Sequence, residues 1–138
     1  VAWQSDQGTG GTDYAIYARY LNGDGVLGNV YLMDDSNSPE TEVDVSCDTT
    51  GQRYLLAWQS GHDYPFTGIW ATVAYPNEVM DPMFNIVLQG TSEDRANPAI
   101  GGGRANFLVA WEHTRVGGNL DIHGRLVGYS VLLPVVTK

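Results

Sequence analysis

The sequence predicts an all-β fold, and three observations carry that reading. Seventeen Gly and six Pro are spread along 138 residues, which leaves little room for a long helix. The apolar segments are short, β-branched or aromatic, and bounded by Gly, Asn, Asp and Pro, and no stretch sustains a 3.6-residue period. One pattern also recurs along the chain. Val1–Leu21, Tyr54–Ala74 and Phe107–Val127 superimpose, with Ile16, Ile69 and Ile122 falling 53 residues apart. Ala18, Ala71 and Gly124 keep the same interval, as do Arg19, Thr72 and Arg125. Trp3 and Trp58 are 55 apart and Trp58 and Trp111 are 53 apart, because the first loop holds two extra residues.

The single repeat domain, 1–138, divides into units 1–41, 42–94 and 95–138. The first unit supplies three strands: VAWQ (1–4), YAIYARYL (14–21) and GNVYLM (28–33). The second supplies four: EVDVSC (42–47), YLLAWQ (54–59), GIWATVAY (68–75) and MFNIVL (83–88). The third supplies NPAIGG (97–102), FLVAWE (107–112), DIHGRLV (121–127) and VLLPVV (131–136), for eleven strands in all. The first unit lacks a leading strand. NGDG (22–25) sits between two strands and reads as a hairpin turn. It matches only half of an EF-hand loop, without the terminal Glu.

The second strand of each unit is apolar on both faces. In YLLAW, Tyr54, Leu56 and Trp58 point one way and Leu55 and Ala57 the other. A strand with one wet face would alternate with polar residues, so these strands are expected between neighbouring sheets. Four-stranded sheets of about 50 residues, covered by copies of themselves, describe a β-propeller with about three blades per chain. The alternative is a β-trefoil, which also uses three four-stranded repeats. Its Gln-x-Trp signature is absent, since here Gln follows Trp at Trp3–Gln4 and Trp58–Gln59.

The pattern fLVaWe, a Gly-rich loop, dIhGRlv, a turn and xPaI resembles a β-propeller-like repeat of large secreted or surface bacterial proteins. The likeness is clearest over Phe107–Val127, and departs where Thr72 replaces Arg and Gly68 replaces Asp. The resemblance implies fold and repeat type, and an extracellular or cell-surface location. It implies no single activity, because propellers host many. Propellers typically have four to eight blades, so three predict either closure of a six-bladed ring by a homodimer or membership of a longer propeller. The chain opens without Met or a signal peptide, which predicts a processed protein or a piece of a longer one.

Charge narrows the function. Sixteen acidic against seven basic residues give a net charge of −9, which disfavours nucleic acid as a partner. The apolar runs are too short for a membrane span. The single Cys47 excludes an internal disulfide framework and a cysteine-based zinc site, and its place in an inner strand predicts a buried thiol. Eleven of the sixteen acids fall in segments that the topology gathers at one end: Asp6, Asp13, Asp34, Asp35, Glu40, Glu42, Asp63, Glu93, Asp94, Glu112 and Asp121. Such an end attracts cations or a basic protein, or serves solubility alone.

The candidate cation is Ca²⁺, with Asp6, Asp13, Asp34 and Asp35 as oxygen donors. Trp70, Tyr64, His62 and His113 form the candidate ligand-binding set. Trp70 and Tyr64 break the repeat and offer stacking surfaces for a glycan, while His62 and His113 occupy equivalent loops. The repeating Trp3, Trp58 and Trp111 read as packing groups. No Gly-x-Ser-x-Gly, His-Glu-x-x-His or Walker loop is present, and Gly101–Gly103 lead into a strand rather than a helix. The reading is therefore a non-enzymatic binding or interaction module. A glycan-acting hydrolase with paired carboxylates and a structural fragment of a longer propeller are the alternatives.

Overall fold

The computed structural model describes residues 1–6, 14–34, 39–61, 67–87, 93–115 and 117–128. They form an all-β structure of three antiparallel sheets, each a simple meander. The first sheet holds β1 (Ala2–Ser5), β2 (Ala15–Leu21) and β3 (Leu27–Asp34). The second holds β4 (Glu40–Cys47), β5 (Tyr54–Ser60), β6 (Gly68–Ala74) and β7 (Phe84–Val87). The third holds β8 (Glu93–Gly102), β9 (Asn106–Arg115) and β10 (Leu120–Gly128). Ten of the eleven expected strands are among these, and 131–136 lies outside the described residues.

Alternation within the strands decides how the sheets stack. On β5, Leu55 and Ala57 face the third sheet. They share a buried cluster with Ile69, Ala71, Val73, Ile86, Phe107, Val109 and Trp111. Leu56 and Trp58 face the opposite way and cluster with Ile16, Ala18 and Ala74. The second sheet is thus covered on both sides, as its doubly apolar strand requires. FLVAW carries the same pattern, but β9 is covered on one side only. Phe107, Val109 and Trp111 are buried, while Leu108 on the other face is exposed. The third sheet has no further sheet of this chain beyond it among the described residues.

The leading strands β4 and β8 lie together with β1, the first strand of its sheet. β4 runs against both β8 and β1, whereas β3, β7 and β10 make their main contacts within their own sheets. Side chains bind these leading strands across the boundaries between sheets. The Ile100 amide donates to Asp44 Oδ2 (2.7 Å), and the Glu42 amide donates to Gln4 Oε1 (2.9 Å). Gly102 allows the closest approach, since a Cβ there would stand 1.8 Å from the Cys47 carbonyl oxygen. Of the glycine run, Gly102 therefore serves packing between strands.

Both leading strands carry a bulge opposite the repeated Trp. The pairing of β4 with β5 skips between Thr41 and Asp44, and that of β8 with β9 skips between Ala96 and Ala99. Two residues on each leading strand therefore face one Trp, Trp58 or Trp111. Glu42 and Asn97 take φ of 52° and 51° at these bulges. The hairpins follow local chemistry. Asn22 Oδ1 accepts from the amides of Asp24 (3.0 Å) and Val26 (2.8 Å), and Gly25 adopts φ 79°. Cys47 is exposed at the end of β4, correcting the expected buried thiol: its strand is inner, but its end of the strand reaches the surface.

Candidate functional site

Antiparallel meanders bring the ends of β1, β3, β5, β7 and β9 to one side, together with the starts of the strands that follow. Loop-to-loop hydrogen bonds tie this end. The Glu40 amide donates to the Tyr14 carbonyl (2.9 Å) and the Gly61 amide to the Pro39 carbonyl (3.2 Å). The Thr67 amide donates to Asp94 Oδ1 (3.1 Å). Asp6, Asp34, Glu40, Glu42, Glu93, Asp94, Glu112 and Asp121 are the described acids of this end.

The predicted residues occupy different places in this frame. Asp34 is buried at the end of β3 and accepts from the Trp58 indole at 2.9 Å. Asp6 lies just past β1, and Asp13 and Asp35 lie outside the described residues. Among the described residues no group of three or more His, Cys, Asp and Glu side chains is placed to hold a metal ion. Trp70 lies on β6, partly buried between the first and second sheets. His62 and Tyr64 lie outside the described residues. His113 is buried on β9 and stacks on His123, with ring centroids 4.3 Å apart. Glu93 sits beside it, 3.7 Å from His113 Nε2, and also bridges Arg95 (2.9 Å) and Arg115 (3.4 Å).

The opposite end holds features that the repeat pattern did not flag. Asp48 is buried in the turn after β4. It accepts from the Thr50 hydroxyl (2.7 Å), from the amides of Thr50 (3.0 Å) and Gln52 (3.1 Å), and from Arg53 Nε (2.7 Å). Burial pushes the carboxyl upward, but these donors outweigh it and hold Asp48 well below the usual carboxylate range. The signal was present in the sequence, as Asp followed by Thr-Thr-Gly is an Asx-turn composition. An apolar cleft of about 220 Å³ lies nearby, lined by Val1, Ala18, Tyr20, Tyr54 and Leu56. Burial raises the Tyr20 phenol to about 12, helped by Tyr54, Tyr31 and Glu78, while it donates to the Tyr75 carbonyl.

The two outer sheet faces carry exposed apolar residues. Cross-strand pairing puts Val1, Trp3, Tyr17, Leu21, Leu27, Val30 and Leu32 on the outer face of the first sheet. Trp3 stacks on Tyr17 there. The outer face of the third sheet carries Leu108, Leu120, Ile122 and Leu126. Ile122, Leu108 and Trp3 are exposed where their repeat counterparts are buried. Ile122 is 70% exposed, against 0% for Ile16 and Ile69. Leu108 is 49% exposed against 0% for Leu55, and Trp3 36% against 0% for Trp58.

No protein-family model matches the chain, and no curated protein or solved structure matches it either.

Proposed function

We propose that this chain is a non-enzymatic interaction module, made of three propeller-type blades and closed into a six-bladed ring by a second copy. The observation that carries this is the exposure of an apolar face at each end of the stack. Contiguous apolar surface of this kind marks an association site, since leaving it wet forfeits about 25 cal/mol per Å². Two further observations support blades over a trefoil. The leading strands gather while the outermost strands stay within their sheets, which is the arrangement of sheets radiating from an axis. The meander order within each sheet is also that of a blade.

Ring closure would leave the acidic end open on one side of the assembly. Its exposed carboxylates, Glu42, Asp94 and Asp121, suit a basic protein partner, with attraction that weakens as salt rises. The resemblance to secreted and surface bacterial repeats agrees with such a role.

The test is absolute mass by light scattering after gel filtration, at micromolar protein. The proposal expects twice the chain's 15.0 kDa, constant with dilution over a broad range. A 15.0 kDa monomer at every concentration overturns the self-closing ring.

A further inference from the structure

We infer that the outer face of the third sheet of one copy docks on the outer face of the first sheet of a second copy, bringing Ile122 into one cluster with Trp3. The inference rests on the interaction-module reading above and specifies which surfaces meet.

The chain itself holds two members of a series. At the junction of the first and second sheets, Ile16 from one side and Trp58 from the other share a buried cluster. At the junction of the second and third sheets, Ile69 and Trp111 do the same. The Ile sits in the third strand of the repeat pattern and always faces the next sheet. The Trp sits in the second strand and always faces the previous one. The next Ile is Ile122 and the preceding Trp is Trp3, and both are on uncovered faces.

The neighbouring positions repeat the match. Leu55 and Ala57 accompany Ile69 in its cluster, and Leu108 and Ala110 are their counterparts beside Ile122. Leu56 and Val109 accompany Trp58 and Trp111, and Val1 is their counterpart beside Trp3. Ala18 and Ala71 keep the centre of each junction shallow, and Gly124 continues that position. Each outer face therefore presents the side-chain set that its partner covers elsewhere in the same molecule. A face that reads the reverse of its own pattern, first sheet on first sheet, would oppose Trp3 to Trp3 and has no internal precedent.

This pairing is heterologous, and two copies complete it twice. Complementary charge variants test it: Ile122→Arg on one face and Trp3→Glu on the other. Each is assessed for folding by circular dichroism, with Leu108→Arg and Tyr17→Glu as second variants of each face. Every docking contact needs one face of each kind, so each variant alone should be monomeric. An equimolar mixture should return to the dimer mass. The introduced guanidinium then meets the introduced carboxylate at one junction, and the other junction is wild type.

The outcomes separate the inference from the reading beneath it. If wild type is dimeric and either folded single variant stays dimeric, like faces pair or another surface is used. The inference then fails while the interaction module stands. A mixture that remains monomeric has the same meaning. A monomeric wild type overturns both.

Discussion

Ile69 and Ile122 occupy one position of the repeat and differ in what covers them, so truncating each to Ala separates sequence pattern from burial. Ile69 is wholly buried between the second and third sheets. Removing a buried Ile side chain to Ala costs about 2–5 kcal/mol, part transfer and part cavity. For a domain of this size that lowers Tm by roughly 6–20 °C. Ile122 is 70% exposed in the single chain. The same truncation removes on the order of 30 Å² of buried apolar area there, below about 1 kcal/mol. Under the docking proposed above, its cost falls on association instead. At roughly 1–2 kcal/mol for each of two junctions, dimer dissociation should rise roughly 30- to 1000-fold. Urea denaturation followed by Trp fluorescence, at a concentration low enough for monomer, measures the first pair of numbers. Sedimentation or light scattering over a dilution series measures the last. An Ile69→Ala variant within about 1 kcal/mol of wild type refutes the burial argument. An Ile122→Ala variant as costly as Ile69→Ala in the dilute monomer refutes the contrast between the two positions.

Two further expectations follow from the polar contacts. Trp58→Phe strips Asp34 of its indole donor, whereas Trp111 Nε1 already lacks a partner among the described residues, so Trp58→Phe should cost about 1–3 kcal/mol more than Trp111→Phe in urea denaturation; equal costs would remove the role given to Asp34. Asp48 has a depressed carboxyl in the folded state, so its contribution is present above the unfolded carboxylate value near 3.9 and is lost as pH falls through the lower folded value. The gap in urea midpoint between wild type and Asp48→Asn should therefore be widest above about pH 4 and narrow toward pH 2. A gap independent of pH would show that Asp48 acts through shape alone.

Strand positions were legible because this chain writes each one with local signals. NGDG gives the β2–β3 turn through the Asn22 side chain and the positive φ of Gly25. YLLAW announces a strand covered on both faces, and β5 is. FLVAW makes the same announcement for β9, yet the described residues supply one cover. Pattern records what a face needs, and cannot say which molecule provides it. The bulges at Glu42 and Asn97 were not readable, because neither is Gly and a register skip is set by the neighbouring strand. The single indole–carboxylate bond was hidden for a similar reason. Asp34 stands opposite Ile16 and Val87 opposite Ile69, so the repeat places an acid at one junction and an apolar residue at the next. Of the candidate site, the gathering of acids at one end followed from topology. The individual assignments did not, since Asp34 and His113 are both engaged inside the sheets.

The bulges bear on whether association closes or runs on. A heterologous junction gives a ring if its rotation divides the circle and a filament if it does not. Within the chain, each of the two junctions sets a bulged leading strand against its neighbour, and both bulges fall opposite the repeated Trp. The two internal steps are therefore built alike, as a closed ring requires. The proposed junction between copies differs in one respect. Among the described residues the first sheet begins at β1, which is the counterpart of β5 and β9, so no bulged strand leads it. Among the described residues, the contacts that Asp44 makes to Ile100 and Gln4 makes to Glu42 have no counterpart there. In the proposed docking the junction holds the Ile–Trp cluster and, among the described residues, fewer leading-strand contacts than the internal ones. It should open before the sheets separate within a chain, so dilution should yield folded monomers rather than unfolded chains.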